Sequence, residues 1–372
     1  MSDHWQTIDP VVRLDPNDYI DWGAVDRITQ RRYGELATFW VQKTPGVNYY
    51  RAELPARHLP GRSVEFNESD ITPELEFRRQ VGAAVWLFPG NDVRALMMAE
   101  MHLQGIPVFV EVDDNYTTPP PIKQLSRWSA NRAEAMRTGL HDFETHVLIV
   151  GSPMVDGVIC ATPKLAELYS RLHRNVHVCP NSIDPDDWPE AEPPHAPDGV
   201  LRIGWAGSAS HGYDLNDIYR ALSWAAGQPD VEVVLFGELG LPIEHRNIPW
   251  ARSLADYRQN VVEIDVMLCP LRPSAWSDCK SDSKALEAAM GGACPVVARA
   301  EPFRPWWAAQ RPCYVAETPK DFLKIVKHLV ANRDEARQTA RLAREYVLAE
   351  RTIQVSIQRW RDALSTQREE VD

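Results

Sequence analysis

Two lysines and a glutamate stand close together in the second half of this 372-residue chain, at Lys280, Lys284 and Glu287. Residues three or four positions apart on a helix share a face, so Lys284 and Glu287 would project from the same side. Ammonium groups beside the unpaired N–H groups of a helix N-terminus would bind a diphosphate. The carboxylate could accept hydrogen bonds from the two hydroxyls of a ribose. A surface ion pair between Lys284 and Glu287 explains the spacing equally well.

The elements around these residues must place them at the end of a strand. In Asp265–Arg299, an apolar run at Asp265–Cys269 precedes a polar loop, a helical stretch at Lys284–Met290 and a second apolar run at Pro295–Ala298. The two glycines that follow the helical stretch are typical of a helix end. This order predicts a strand, a loop, a helix and a strand. The charged residues then lie beyond the carboxyl end of the first strand, where open parallel sheets bind ligands.

A second ligand-binding loop is predicted near Gly207. The segment Leu201–Leu215 begins as an apolar strand, turns at Gly207 and Ser208, and leads into a helical stretch. Backbone N–H groups in such a turn can approach a phosphate. His211 would add a donor there, or would bond to Asp214 at the start of the helix. A glycine turn of this kind is also common in a purely structural role.

Apolar strand patterns alternate with helical stretches along the chain, which is typical of parallel α/β sheets. The tract Pro189–Gly199 is rich in proline and predicts a linker. We therefore predict an α/β protein with domains at 1–190 and 200–350, a linker at 191–199 and a helical segment at 351–372. The other strands are predicted at Leu36–Gln42, Ala83–Phe88, Pro107–Val112, Asp156–Cys160, Val176–Cys179, Leu201–Trp205 and Val231–Phe236.

Composition narrows the class of protein. A net charge of −12 excludes attachment to nucleic acid through the overall field of the protein. No apolar stretch approaches the roughly 20 residues that span a membrane, and the N-terminal residues lack a secretory pattern. The six cysteines include no CxxC pair, which favours a reduced protein without a disulfide framework or zinc site. We expect a cytoplasmic protein.

The Asp265–Arg299 segment resembles the donor-binding signature of retaining GT-B glycosyltransferases of the group-1 type. Glu287 matches the second glutamate of that family's paired-glutamate motif, the one that holds the donor ribose. Cys279 stands where the first glutamate would be, which leaves open whether activity is altered. Lys280–Glu287 fits the KSxxKxxE pattern of a compact branch residue for residue. The resemblance implies the GT-B fold: two Rossmann-like domains facing a central cleft, with the C-terminal helix crossing back to the N-terminal domain.

The resemblance also implies a reaction. A hexosyl or pentosyl group would move from a UDP- or GDP-linked sugar to a hydroxyl acceptor, with retention and without a metal or other cofactor. Lys280 and Lys284 would be catalytic because they stabilise charge on the departing phosphate. Asn181 and Asp184 would form the crossover between the domains. The residues expected to bind the donor are Gly207, Ser208, His211, Ser253, Leu254, Lys280, Ser281, Lys284 and Glu287.

The N-terminal half would supply the acceptor site. Asp113 and Asp114 end a predicted strand and would act catalytically by orienting an acceptor hydroxyl. In another glycosyltransferase fold an acidic pair of this kind binds a metal, but that fold is a single domain and does not match the two domains predicted here. A structural role for Asp113 and Asp114 remains open. Four residues after the first strand are candidates for contact with the donor phosphate or acceptor, or for a packed helix start: Gly46, Asn48, Tyr50 and Arg51.

The acceptor class stays open between a saccharide, a protein and a DNA base. Pro121–Leu140 holds four basic residues, one acid and Trp128, and such a mixture can bind a nucleic-acid backbone. A solvated helix face explains the segment as well. Because the branch looks like proteins of phage-type gene sets, a hydroxylated DNA base is an alternative acceptor.

Two functions without sugar transfer also stay open. One is a non-catalytic module that binds a nucleotide sugar. The presence of Cys279 in place of a glutamate supports this alternative. The second is a sugar-nucleotide epimerase, a family that shares the GT-B fold. Its motif DSGGxQEE would fall at Asp282–Ala288, where this chain lacks the glycine pair. The sequence therefore favours the transferase.

Overall fold

The computed structural model describes residues 36–41, 45–59, 63–67, 81–87, 92–103, 105–117, 143–189, 199–207, 214–237, 241–249, 251 and 253–365. These residues form two compact units. The first takes the described residues up to Thr117, those from 143 through Cys179 and those from Ile357 on. The second extends from Pro180 to Ser356. The chain passes from the first unit to the second ahead of the predicted linker, of which 190–198 fall outside the described residues.

The first unit is built on a six-stranded sheet with the order β2-β1-β3-β4-β5-β6, in which every described pairing is parallel. All five residues of β4 are buried, as expected for a strand covered on both faces. The strands are β1 (Leu36–Val41), β2 (Ser63–Asn67), β3 (Val81–Leu87), β4 (Val108–Val112), β5 (Gly157–Cys160) and β6 (Val176–Val178).

Helical segments connect these strands. The helix Pro45–Asn48 continues through a π-helical turn, Tyr49–Glu53, into the helix Leu54–His58. Two regular helices follow, α1 (Asp92–Leu103) and α2 (Pro163–Tyr169), with residues 143–150 also helical. The Thr162 side chain caps α2 by accepting a hydrogen bond from the Leu165 backbone, which satisfies one N–H at the helix start.

The second unit has a six-stranded sheet with the order β12-β11-β10-β7-β8-β9, again with parallel pairings throughout the part described. Its strands are β7 (Leu201–Trp205), β8 (Val231–Phe236), β9 (Arg246–Ile248), β10 (Val266–Cys269), β11 (Cys294–Ala298) and β12 (Tyr314–Ala316). Its longer helices are α3 (Leu215–Ala226), α4 (Leu254–Val261), α5 (Ser283–Met290), α6 (Pro319–Ala331), α7 (Arg333–Glu350) and the start of α8 (Ile353–Leu364), and a short helix lies at Arg304–Trp307.

Each unit buries an apolar core between its sheet and its helices. In α3, the buried residues recur on one face at Leu215, Ile218, Leu222 and Ala225, which is the stripe of an amphipathic helix. Gly292 follows α5 with a φ of 83°, a conformation that ends helices and favours glycine. Among the described helices, none is both long and apolar enough to cross a membrane.

The predicted arrangement of two parallel α/β domains is confirmed, with three additional strands. β2, β9 and β12 were not predicted, and each lies at the edge of its sheet. Edge strands pair on one side only and need no continuous apolar run, so their sequences carry a weak signal. The basic segment Pro121–Leu140 lies outside the described residues in full.

The C-terminal part of the described chain contains two successive helices, α7 and α8. Between α7 and α8, Thr352 leaves the helical path and forms an isolated parallel bridge with Ile183. From Ile357 onward, α8 belongs to the first unit, as the resemblance implied. There Trp360 is buried, and the Arg51 guanidinium lies 5.0 Å from the centre of its ring.

Candidate functional site

Lys284 holds a buried ammonium group at the start of α5. The apolar residues of this helix face the core, which leaves Lys284 and Glu287 on the other side. Part of the Lys284 side chain is accessible, but Nζ itself is buried, and no acceptor among the described residues lies within hydrogen-bond distance of it. It lies 5.2 Å from the centre of the Trp205 ring at the end of β7. Burial of a cation normally requires a hydrogen-bonded partner, and the described residues supply none for this ammonium.

The turn after β7 approaches this ammonium closely. A Cβ atom at Gly207 would lie 2.9 Å from Lys284 Nζ and 2.5 Å from the Trp205 ring, so only glycine fits. The indole Nε1 of Trp205 is likewise buried without a partner among the described residues. Lys284 and the Gly207 turn, predicted separately from two motifs, are therefore brought together. Ser208 and His211, also predicted to bind the donor from this turn, lie outside the described residues.

Burial lowers the pKa of Lys284 to about 8. The charges of Asp214, Cys269 and Glu287 oppose this shift, and the Lys280 ammonium adds to it. Lys280 itself lies with Nζ 3.9 Å from the centre of the Trp276 ring. An anion placed beside Lys284 would favour the protonated form and reverse the shift.

Glu287 lies one turn beyond Lys284 and accepts a hydrogen bond from a tyrosine that no sequence motif indicated. Tyr257 in α4 donates a hydrogen bond from its hydroxyl to Glu287 Oε2 at 2.8 Å. The Tyr257 ring packs edge-on against Phe236 at the end of β8, with 5.7 Å between ring centres. The surface ion pair considered for Lys284 and Glu287 is absent from the described contacts.

The loop before α5 is held in position by hydrogen bonds from side chains of other segments. The Asn181 amide donates to Ser281 Oγ at 3.1 Å and to Ser283 Oγ at 2.8 Å. The Asp282 carboxylate accepts from Trp306 Nε1 at 2.9 Å and from both terminal nitrogens of Arg351. The Ser281 hydroxyl, expected to bind the donor, is thus engaged by its neighbours.

Cys279 occupies the position where the resemblance places a glutamate. Cys279 is only 2% exposed, and its thiol lies 3.5 Å from the Ala275 carbonyl oxygen. A buried thiol at this point brings no charge to the site, which leaves Glu287 as the glutamate of the motif.

The two residues predicted near the nucleotide base begin α4. Ser253 caps the helix by accepting a hydrogen bond from the Asp256 backbone at 3.1 Å. Leu254 is half-buried in the first turn. Asp184 also caps a helical turn, because its side chain accepts from the Asp186 backbone. The structure gives these residues local roles at helix starts.

In the first unit, Arg51 is fully buried and engaged by core residues. Its Nε lies 2.5 Å from Glu111 Oε1, and Nη1 donates to the Cys179 carbonyl oxygen at 2.6 Å. Burial raises the pKa of Glu111 to about 8, and the charge of Arg51 opposes that change. These contacts give Arg51 a structural role in the core, as the interpretation of a packed helix start supposed.

The three remaining candidates around the first strand are more accessible. Gly46 is exposed, and a Cβ added there would meet nothing within 4 Å. Asn48 and Tyr50 are half-buried, and the ring of Tyr50 packs edge-on against Tyr49 with 4.9 Å between centres. Gly46 and Tyr50 therefore remain accessible candidates, whereas the side-chain oxygen of Asn48 is buried.

Asp113 and Asp114 follow β4 and are half-buried. Asp113 Oδ1 accepts a hydrogen bond from the Tyr116 hydroxyl at 2.6 Å, and Asp114 Oδ1 accepts one from the Asn115 backbone at 3.0 Å. Burial lowers the pKa of His146, whose ring packs against Tyr116, to about 3, so this ring is neutral. No group of three or more His, Cys, Asp or Glu side chains in the described part of the chain is placed to hold a metal ion.

Comparison with known proteins gives one family match. A family model described as glycosyl transferase-like matches residues 218–362, a range that contains Lys280, Lys284 and Glu287. A search of curated protein sequences gave no significant match.

Several solved structures share the fold. Anabaena HepE, solved in complex with UDP-glucose, is similar at 12% identity with a TM-score of 0.62, over 89% of this chain and 99% of HepE. WaaG, a glycosyltransferase involved in lipopolysaccharide biosynthesis, is similar at 11% identity with a TM-score of 0.56, over 88% of this chain and 98% of WaaG. Sucrose-phosphate synthase from Thermosynechococcus elongatus is similar at 12% identity with a TM-score of 0.55, over 91% of this chain and 92% of the synthase. These likenesses establish a GT-B fold, as predicted.

Proposed function

We propose that this protein is a glycosyltransferase that moves a sugar from a nucleoside-diphosphate sugar to a hydroxyl acceptor. The observation that carries the proposal is the Lys284 ammonium, which is buried beside Gly207 without an acceptor among the described residues. A buried ammonium without a hydrogen-bond acceptor is costly, and a bound diphosphate would supply negatively charged acceptors. The match of residues 218–362 to a glycosyl transferase-like family supports the same function.

The chemistry of the proposed site follows from charge. When the sugar departs, negative charge builds on the leaving diphosphate, and fixed donors aimed at it lower the barrier. Lys284 and the backbone N–H groups at Gly207 would supply those donors, with Lys280 adding positive charge from the preceding loop. Glu287 would hold the ribose of the donor. We propose retention of configuration, because the resemblance implies it. We also propose that no metal is required, since Lys280 and Lys284 would neutralise the diphosphate.

The first unit would bind the acceptor. Asp113 and Asp114 follow a buried strand and would orient the attacking hydroxyl. Gly46, Asn48 and Tyr50 follow β1; Gly46 is exposed and the other two are half-buried. We propose a saccharide or protein acceptor. A hydroxylated DNA base is the alternative; its test is DNA binding at two salt concentrations, because each phosphate contact steepens the salt dependence. Absence of binding at low salt contradicts the DNA alternative.

A nucleotide-sugar-binding module without catalysis is the second candidate function. The observation that favours it is Cys279, a buried neutral thiol where the resemblance implies a glutamate. Such a module would bind the donor with the affinity of an enzyme but would not consume it. Release of nucleoside diphosphate in the presence of candidate acceptors distinguishes the two functions.

The test of the proposed site is calorimetric binding of UDP, GDP and uridine to the wild-type protein and to Lys284→Met. We expect Lys284→Met to weaken binding of the diphosphate by about tenfold to a hundredfold, because a charge-assisted bond contributes about 1.5–3 kcal/mol. Binding of uridine, which has no phosphate, should not change. The matched control is Lys320→Met, which removes an exposed lysine of α6 and should leave both affinities unchanged. Equal diphosphate affinity in Lys284→Met and the wild type would contradict the proposal.

A further inference from the structure

Tyr257 and Glu287 come from different helices and meet through one hydrogen bond. Tyr257 lies in α4, Glu287 lies in α5, and the hydroxyl donates to Oε2 at 2.8 Å across 30 positions of sequence. The bond therefore holds one of the two carboxylate oxygens in place. Because a carboxylate is planar, fixing one oxygen also limits the directions in which the other can accept hydrogen bonds.

Tyr257 is itself held in one position and one protonation state. Its ring packs edge-on against Phe236, with 68° between the ring planes, at the carboxyl end of β8. Burial, followed by the charge of Glu287, raises the pKa of Tyr257 well above its ordinary value. The hydroxyl thus stays protonated and can only donate to the carboxylate, so the direction of the hydrogen bond is fixed.

We propose that Tyr257 is a positioning residue that makes Glu287 selective for a ribonucleotide over a deoxyribonucleotide. This inference rests on the proposed function, in which Glu287 receives the hydroxyls of the donor ribose. A carboxylate that turns freely can accept a single hydroxyl in many orientations. A carboxylate fixed by Tyr257 accepts two adjacent hydroxyls in one orientation, so the loss of either hydroxyl weakens binding.

A purely structural role for the same bond has a different consequence. If Tyr257 only joined α4 to α5, its removal would change the stability of the protein or weaken all nucleotides equally. It would not change the ratio of affinities for nucleotides that differ by one hydroxyl. That ratio is therefore the readout that distinguishes positioning from packing.

The experiment measures binding of UDP and GDP, and of their 2′-deoxy and 3′-deoxy forms, by calorimetry. We expect the wild-type protein to prefer each ribonucleotide by about tenfold over a deoxy form, the size of one charge-assisted hydrogen bond. In Tyr257→Phe, the ribonucleotide should bind several-fold more weakly while the deoxy forms change little, so the preference falls below about threefold. Tyr219→Phe is the control, because Tyr219 lies in α3 away from these contacts and should retain the wild-type preference.

Thermal unfolding of Tyr257→Phe accompanies the binding measurement. A folded Tyr257→Phe protein with the wild-type ratio overturns the inference. Equal binding of ribo and deoxy forms by the wild type also overturns it, while the dependence of diphosphate binding on Lys284 can still stand. If the wild type binds neither UDP nor GDP, the proposed function fails and the inference fails with it. Should Tyr257→Phe not fold, Tyr257→His, which retains a donor, should keep part of the preference.

Discussion

Asp282 and Arg351 form a bidentate ion pair between residues 69 positions apart in the chain. Nη1 of Arg351 lies 2.7 Å from Oδ2, and Nη2 lies 2.9 Å from Oδ1. Both side chains are largely buried, and Trp306 donates a further hydrogen bond to Oδ2. Asp282 directly precedes α5, so the pair fixes the start of the helix that carries Lys284 and Glu287.

Removal of one partner of this pair should destabilise the protein. Arg351→Met leaves the Asp282 carboxylate buried without its counter-charge, a change that costs about 3–5 kcal/mol in comparable buried pairs. The measurement is the thermal unfolding midpoint, with Arg337→Met as the control because Arg337 pairs with the exposed Asp334. An exposed ion pair contributes little to stability, so the control should have the same unfolding midpoint as the wild type. An unchanged midpoint in Arg351→Met would contradict the role given to the pair.

A glutamate at position 279, where the resemblance places one, should be harmful. Cys279 is buried, and a carboxylate in its place would lose its hydration. We expect Cys279→Glu to lower the unfolding midpoint, whereas Cys279→Ala should fold and bind UDP with near wild-type affinity. Thermal unfolding and calorimetry measure the two effects. Full stability of Cys279→Glu together with tighter donor binding would show that the site accepts the missing glutamate.

Binding of UDP should weaken as the pH rises through about 8. In the free protein, burial lowers the pKa of Lys284 to about 8, so the side chain loses its proton above that pH. Because the bound diphosphate needs the charged form, affinity should fall by about tenfold per pH unit beyond it. Lys284→Arg stays protonated throughout and should bind UDP with little pH dependence. Calorimetry between pH values of about 7 and 9, on either side of this pKa, tests the prediction, and a flat wild-type profile would contradict it.

Arg51 should matter for the stability of the first unit and not for the donor. Arg51→Met removes the hydrogen-bond partner of the buried Glu111 and should destabilise the protein by about 1–3 kcal/mol, the cost of an unsatisfied buried polar group. UDP affinity should remain that of the wild type at temperatures where the variant is folded. Thermal unfolding and calorimetry provide both values. Loss of UDP binding in the folded variant would instead indicate that Arg51 contacts the donor.

The local part of the site could be predicted from sequence because it depends on short spacings. The interval between Lys284 and Glu287 places them one turn apart on a helix, and the glycines after Met290 end that helix. The strands β4 and β10 are buried throughout, and both are apolar runs apart from Glu111 in β4. Patterns of this kind span a few residues and need no knowledge of the tertiary structure.

The rest of the site depends on partners that lie far away in sequence. Tyr257 is 30 positions from Glu287, and Arg51 is 60 positions from Glu111. Helical periodicity relates residues within two or three turns, so it gives no information about such pairs. The same limit applies to Arg51. From the sequence alone it is a charged residue in a helical stretch, and a contact with a ligand was as good a prediction as a position in the core.

The most direct test of the account is consumption of a nucleotide sugar by the wild-type protein and by Lys284→Met in the presence of a chelator. The substrates are a panel of UDP- and GDP-linked sugars with candidate saccharide and protein acceptors, and the measurement is release of the nucleoside diphosphate. We predict release from at least one donor by the wild type, unaffected by the chelator, and a loss of at least about tenfold in Lys284→Met, as expected for one charge-assisted contact to the leaving phosphate. Release by Lys284→Met at the wild-type rate, or release that stops on chelation and returns with manganese or magnesium, would contradict the account.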